Sequence, residues 1–259
     1  TSIGDLFLGG VFPGLVLVGA MSTAALLVCW RKGYGSTFPF DFRTALRAVW
    51  KAKLAFGAIA IILGGIYGGL FTPTEAAGIA VAYCLFAGLF VTREIKVKEL
   101  PKIMAQSSGV NGMIAPIIAL AMIFSEVLAV TGIPESGVSY ILSFSENPTV
   151  VMGLVLVILL IAGCVMEATP NILLLTPLLV PVANSLGYHP VHFGVMMVVT
   201  LAIGFVTPPL GLNLFVASSV TGVPFTRIAL KALPYIMALL IGLLIIWQIP
   251  LLSLSLLEH

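Results

Sequence analysis

Two short segments of this 259-residue sequence bring together residue types suited to ion chemistry. The first is Gly163-Cys-Val-Met-Glu167-Ala-Thr169-Pro170-Asn171, in the middle of an apolar stretch. An acid at membrane depth is costly and usually faces a pathway. Pro170 removes a backbone donor and disfavours helix at Thr169. The apolar arms on either side, about 15–17 residues each, are short for a full crossing. The pattern predicts a re-entrant hairpin with Glu167, Thr169 and Asn171 at its tip, and a returning arm bent at Pro177 and Pro181. A competing role for Glu167 is to cap the N–H groups of the following helix. The second segment is Gly204-Phe-Val206-Thr207-Pro208-Pro209-Leu-Gly211-Leu-Asn213. Adjacent prolines flanked by glycines cannot continue a helix, so the carbonyls of Gly204, Phe205 and Val206 are predicted to lack intrahelical partners. Such backbone survives in a bilayer only inside protein or beside a wet cavity. A hairpin tip facing a discontinuous helix is a recurring secondary-transporter design, in which free carbonyls take a small cation and helix N-termini face an anionic substrate. A cage of neutral oxygens suits Na⁺.

A third break, Gly64-Gly65-Ile-Tyr67-Gly68-Gly69-Leu-Phe71-Thr72-Pro73-Thr74-Glu75-Ala76-Ala77-Gly78, reads as structure rather than chemistry. Thr72 or Thr74 can cap the next helix, with Glu75 in its first turn. Gly64/Gly68 and Gly65/Gly69 form small faces for close helix contact. His189-Pro-Val-His192 reads as an interfacial turn rather than a metal pair. Glu126 falls near the outer end of its span. Trp30, Trp50 and Trp247 suit interfacial anchoring. Cys29, Cys84 and Cys164 lie in apolar runs without metal or disulfide spacing and read as buried structural cysteines. No protease, P-loop or Rossmann pattern is present, which argues against an enzyme and against ATP hydrolysis.

The elements that must hold these residues follow from composition. The chain is 60% hydrophobic and 8% charged, with a mean hydropathy of +1.18. A soluble domain carries about 25% charge. The long apolar runs predict an all-α integral membrane protein rather than a barrel of short alternating strands. A net charge of +2 does not suggest nucleic acid. Basic residues cluster at Arg31–Lys53, Arg93–Lys102 and Arg227–Lys231, and positive segments stay cytoplasmic. The stretch Thr131–Thr149 carries Glu135 and Glu146 and no Lys or Arg, placing it outside. Spans over Leu6–Trp30, Leu54–Phe71, Ala76–Val91, Ile103–Val130, Val150–Leu186 (out and back), Phe193–Val220 and Leu233–Leu254 put every basic cluster on one side. Phe38, Phe42, Leu46 and Val49 recur at helical spacing opposite Arg43, Arg47 and Lys51, which predicts an amphipathic helix in the headgroup region. Arg93–Lys102 offers a shorter connector of the same kind. Gly4-Asp5-Leu6-Phe7 echoes Leu212-Asn213-Leu214-Phe215, a hint of an internal repeat. The chain opens Thr1-Ser2-Ile3 without Met, as a partial or processed chain would, and Leu257-Glu258-His259 looks like the start of a histidine tag.

The runs Met166–Pro181, Gly187-Tyr-His-Pro-Val-His-Phe-Gly194 and Gly204–Phe215 together resemble the large membrane subunit of the tripartite ATP-independent periplasmic (TRAP) transporters. Phe71-Thr-Pro-Thr-Glu-Ala-Ala-Gly78 and Thr1-Ser-Ile-Gly-Asp-Leu-Phe7 are similar to further segments of it, in the same order. The resemblance implies an elevator-type helical bundle in the bacterial inner membrane. It implies sodium-driven uptake of an organic acid of the sialic acid or C4-dicarboxylate type. It also implies a soluble periplasmic substrate-binding protein and a small membrane subunit as partners, and no organic cofactor. The family subunit is longer, and this chain corresponds to about its C-terminal 60%.

On that footing the expected sodium ligands are Gly204, Val206, Thr207, Pro208, Glu167 and Thr169. The expected substrate contacts are Glu167, Asn171, Asn213, Asp5 and Ser2. Residues 1–30 would end a first transport repeat, 31–149 would form scaffold, 150–222 the second transport repeat, and 223–256 a last scaffold span before tag residues 257–259. Alternatives are a binding-protein-independent sodium/anion symporter, an intramembrane enzyme pairing Glu167 with His189 or His192, and an assembly subunit without a pathway.

Overall fold

A computed structural model describes residues 2–35, 41–132, 136 and 147–257. Phe38, Glu135, Glu146, Glu258 and His259 lie outside the described residues. Among the described residues all regular structure is helical. A short helix α1 (Ile3–Gly9) leads into α2 (Val11–Lys32), followed by α3 (Phe42–Lys51), α4 (Lys53–Tyr67), α5 (Pro73–Phe86) and α6 (Leu100–Thr131). The second half holds α7 (Pro148–Val165), α8 (Ala168–Ser185), α9 (Pro190–Phe205), α10 (Leu212–Thr221), α11 (Phe225–Gln248) and the single turn α12 (Leu251–Leu254). Five helical stretches among the described residues are long and apolar enough to cross a membrane, six if the bent pair α3–α4 is one span. The chain is thus a multi-pass, all-α membrane protein.

Sequence chemistry sets the helix starts. Pro73, Pro148 and Pro190 each occupy the first helical position, where a missing N–H costs no intrahelical bond and φ is already helical. Pro170 falls within the first turn of α8, so Thr169 is helical after all. Early turns tolerate proline, which corrects the expectation of an unwound Thr169. The hairpin arms α7 and α8 are 18 residues each, longer than expected, and α8 runs as one helix through Pro177 and Pro181. Helix α11 begins at Phe225, so Arg227 and Lys231 ride on its first turns rather than in a loop.

The chain divides into two compact units. One contains Gly35–Ile114. Within it α3 and α4 meet at 62°, as a surface helix feeding a span would. Phe42, Leu46, Val49 and Trp50 of α3 are exposed beside its basic residues. Tyr83 ties α5 to α4 by donating to the Leu54 carbonyl at 3.0 Å. Of the four paired glycines, Gly65 receives the Phe71 ring, whereas Gly64 faces open space. Among the described residues neither expected glycine face meets another helix. Arg93–Lys102 is a left-handed turn at Arg93, a 3₁₀ turn over Val97–Glu99 and the first residues of α6, not an interfacial helix. Cys84 is exposed and Cys29 half-buried; Cys164 alone is buried as expected.

The other unit contains Asp5–Tyr34 and the chain from Ala115 onward. Its core lies where α7, α8, α9 and α11 meet, with Met152, Leu159, Phe193, Met196 and Ile246 fully buried. Leu257 packs on this core. Lipid tails are as apolar as these side chains, so close packing rather than water exclusion holds such helices together. The short-then-long order of α1–α2 recurs in α10–α11, and the two long helices pack against each other.

Candidate functional site

The hairpin tip and the broken helix end are joined by two glycines. Gly163 lies four residues before Glu167, and Gly204 three before Thr207. A Cβ on Gly204 would stand 2.6 Å from the Gly163 carbonyl carbon and 2.7 Å from its Cα. A Cβ on Gly163 would stand 2.8 Å from the Leu201 carbonyl oxygen. Helices α7 and α9 therefore touch backbone to backbone within one turn of both breaks, which only glycine permits. Gly163 was not expected to matter. The signal was a small residue one turn before a tip whose partner break also carries glycine.

At the hairpin tip, Met166 ends α7 in extended conformation and Glu167 is the N-cap of α8. The Glu167 side chain makes no capping bond and is exposed, as is Thr169. The competing capping role is thereby set aside. Asn171 is fully buried. Its Nδ2 donates to the carbonyls of Ala162 (3.1 Å) and Met166 (3.0 Å), satisfying the open end of α7. It is the clamp of the hairpin as well as a tip residue. Its Oδ1 has no partner among the described residues, and a buried unpaired acceptor is expensive.

At the second break α9 stops at Phe205, and the Pro208–Pro209 peptide is cis. The expectation for Gly204 is corrected: its carbonyl accepts from the Thr207 N–H at 2.9 Å. Among the described residues no backbone N–H reaches the carbonyls of Phe205 or Val206. Pro208 and Pro209, three and four residues beyond Phe205, supply no donor to its carbonyl, and Pro209 supplies none to that of Val206. The Thr207 hydroxyl donates to the Ile203 carbonyl at 2.6 Å, which leaves its oxygen lone pairs available. Gly211, in left-handed conformation, starts α10 without a side-chain cap, and exposed Asn213 sits in its first turn. The N–H groups of α10 point into this region as an anion-favouring helix start.

Asp5 lies in the first turn of α1 and Ser2 just before it. Helix α1 runs antiparallel to α9, with Gly9 against Val191 and Leu6 against Gly194. Its start is thus directed along α9 toward the break. The described contacts join the last turn of α7, ahead of Glu167 and Asn171, to the last turn of α9, ahead of residues 205–208. They do not join Asp5 or Ser2 to either turn.

The two histidines serve structure. His189 caps α9, its Nδ1 accepting from the Val191 N–H at 3.3 Å. His192 is buried, with Nδ1 3.1 Å from the Ser253 hydroxyl. Trp247 donates to the Tyr188 hydroxyl at 2.8 Å. Neither histidine approaches Glu167, which removes the basis for an intramembrane acid–base pair.

The sequence profile of the tripartite ATP-independent periplasmic transporter DctM component matches residues 1–252. The chain is 42% identical over 256 residues to the C4-dicarboxylate TRAP transporter large permease protein DctM of Pseudomonas aeruginosa, covering 99% of this chain and 60% of that protein. It is 35% identical over 250 residues to the sialic acid TRAP transporter large permease protein SiaM of Vibrio cholerae, covering 96% and 58%. It is 39% identical over 250 residues to the isethionate TRAP transporter permease protein DctMQ of Oleidesulfovibrio alaskensis, covering 96% and 39%. The chain thus spans about 60% of the length of the first and second of these relatives.

Proposed function

This chain belongs to the DctM component family of the tripartite ATP-independent periplasmic transporters, and from that premise we propose that it is the C-terminal part of a large permease subunit importing an organic acid by sodium symport. A soluble periplasmic binding protein delivers the acid, and a small membrane subunit, separate or fused, completes the permease in the bacterial inner membrane. The relatives' names support organic anions as cargo: a C4-dicarboxylate, sialic acid and isethionate.

The observation that carries the reading is the glycine contact, which holds together the two helix ends that lead to an uncapped acid and to a broken helix. Sodium, as co-transported cargo, would take the Phe205 and Val206 carbonyls and the Thr207 hydroxyl oxygen, with Pro208 holding the backbone open and Gly204 setting the approach of the tip. Glu167 and Thr169 would close the cage from the hairpin. These hard, largely neutral oxygens fit a monovalent cation. The acid's carboxylate would sit at the start of α10 near Asn213, where helix N–H groups favour negative charge. Ion and acid bound together lower each other's charge, which couples their movement. In an elevator cycle the α7–α10 block would carry both across.

The test is uptake by the complete transporter in proteoliposomes. Labelled sialic acid and succinate are followed with and without an inward sodium gradient, and with and without the binding protein. Uptake of one acid that needs both is the expected result. Uptake needing sodium alone replaces the reading with a binding-protein-independent symporter, and uptake indifferent to sodium removes the cation site.

A further inference from the structure

Helices α2 and α11 touch at Gly242, where a Cβ would stand 2.9 Å from Leu17 Cδ2. Beside that contact lies a trough of about 670 Å³, walled by Val16, Ala20 and Leu27 of α2 and by Met237, Ile241 and Ile245 of α11. The Thr23 hydroxyl within it donates to the Gly19 carbonyl at 2.8 Å and offers the trough no free donor. From Val16 to Lys32 the trough follows α2 for about 24 Å at helical rise. That exceeds one leaflet's share of a hydrocarbon core about 30 Å thick.

Its cytoplasmic end is strongly cationic. Arg31 and Lys32 line it directly. The ammonium of Lys231 lies beside that of Lys32, within electrostatic range of Arg227. Lys32 also stands 5.9 Å from the Tyr34 ring centroid. Among the described residues the side chains acting on Lys231 are Lys32, Tyr34 and Arg227, none of them a carboxylate. Two ammonium groups side by side repel, and an anion between them removes the repulsion. An acyl-chain-length apolar trough ending in a cation cluster at headgroup depth has the shape and charge of one ligand class.

We infer that the α2–α11 trough binds one anionic phospholipid of the cytoplasmic leaflet, its chain along the trough and its phosphate between Lys32 and Lys231. Membrane-apposed cations contribute about fivefold in affinity each for acidic lipid, so the site would select headgroup charge rather than chain type. The basic face of α3 is different. The cavity by Arg43, Arg47 and Trp50 is walled by α3 alone, so that helix meets the surface without enclosing a chain.

Native mass spectrometry of the complete permease in mild detergent tests this, with equimolar dioleoyl phosphatidylglycerol and dioleoyl phosphatidylcholine. One phosphatidylglycerol is expected to persist about tenfold over phosphatidylcholine, as two cations at about fivefold each allow at least. Lys32→Ala with Lys231→Ala is expected to bring the ratio near parity, whereas Arg43→Ala with Arg47→Ala keeps it. Equal retention in the wild type overturns the site, as does an unchanged ratio in the lysine variant or an equal loss in the arginine variant. A photocrosslinker at Thr23 is an independent arm: a lipid adduct is expected, and a polypeptide adduct means that protein fills the trough and ends the proposal.

Discussion

The break before α5 and the break before α8 use the same residue types, a threonine, a proline and a glutamate, to opposite ends. At Thr72 the order is hydroxyl at the N-cap, proline at the first helical position and acid at the third. The Thr72 N–H and hydroxyl both donate to Glu75 Oε2 at 2.8 Å, and the Glu75 N–H donates to Thr72 Oγ1 at 3.3 Å. Every group has a partner, as a capping box requires. At Glu167 the order is reversed. The acid occupies the N-cap, and the third helical position is Pro170, which has no N–H to offer it. The carboxylate stays uncapped and exposed, and four residues on the buried Asn171 keeps an amide oxygen without a partner among the described residues. A helix break that satisfies itself is architecture, and one whose oxygens remain open is what the proposed ion site needs.

The sharpest way to break this contrast is at the glycine contact. Gly204→Leu drives a side chain into the backbone of Gly163. Overpacking costs about 1–3 kcal/mol, and here the neighbour is main chain, so loss of folded protein and of uptake is expected. Size-exclusion yield and melting temperature read it. A variant that melts like the wild type would show that the tips are held together by something else. Glu167→Gln is milder on the fold and severe on transport. Uptake is expected to fall by about tenfold or more, roughly 1.4 kcal/mol in the rate-limiting barrier, with no change in melting temperature. Glu126→Ala, exposed on α6, should leave uptake nearly intact, and the opposite ranking would mean the wrong acid has been chosen. Thr207→Val is expected to raise the sodium concentration for half-maximal uptake severalfold. Sodium activation unchanged in this variant would remove the cation site. Thr72→Val is expected to lower stability by about 1 kcal/mol and to leave sodium activation alone; a shift in sodium dependence there would erase the distinction between the breaks.

Much of this was legible in the sequence because membrane helices carry long, unambiguous apolar runs, and Gly/Pro pairs mark where those runs stop. The hairpin, the split at Thr207–Pro209, the Thr72–Glu75 cap and the amphipathic α3 all follow from local pattern. What was missed is nonlocal. No local rule says that Gly163 meets Gly204, a contact between helices 41 residues apart in the chain, or that His192 turns inward to Ser253. Nor does spacing reveal that the Gly204 carbonyl folds back to the Thr207 N–H, because a turn hydrogen bond depends on one dihedral. Proline at Pro170 read as a helix breaker, whereas its place in the first turn makes it compatible with the helix. Direction along the chain decides which.

The contrast between satisfied and open carboxylates has a last, smaller consequence at the start of α3. Asp41 accepts from the Arg43 N–H at 3.0 Å and from the Thr44 hydroxyl at 2.6 Å. The Thr44 hydroxyl, then the Arg43 N–H, hold its carboxyl below the ordinary value of 3.8. Both bonds favour the ionised form, so the folded value is the depressed one. The cap is therefore complete above the unfolded carboxyl's range and is lost as pH falls through the lower folded value. Amide exchange at Arg43 and Thr44, taken as the ratio of wild type to Asp41→Asn, should be flat from about pH 8 to about pH 5 and rise only in stronger acid. The helix is exposed and the effect should stay confined to its first turn. A ratio that moves between about pH 5 and pH 8 would assign the response to another group and leave Asp41 a carboxylate whose nearest donors do not hold it.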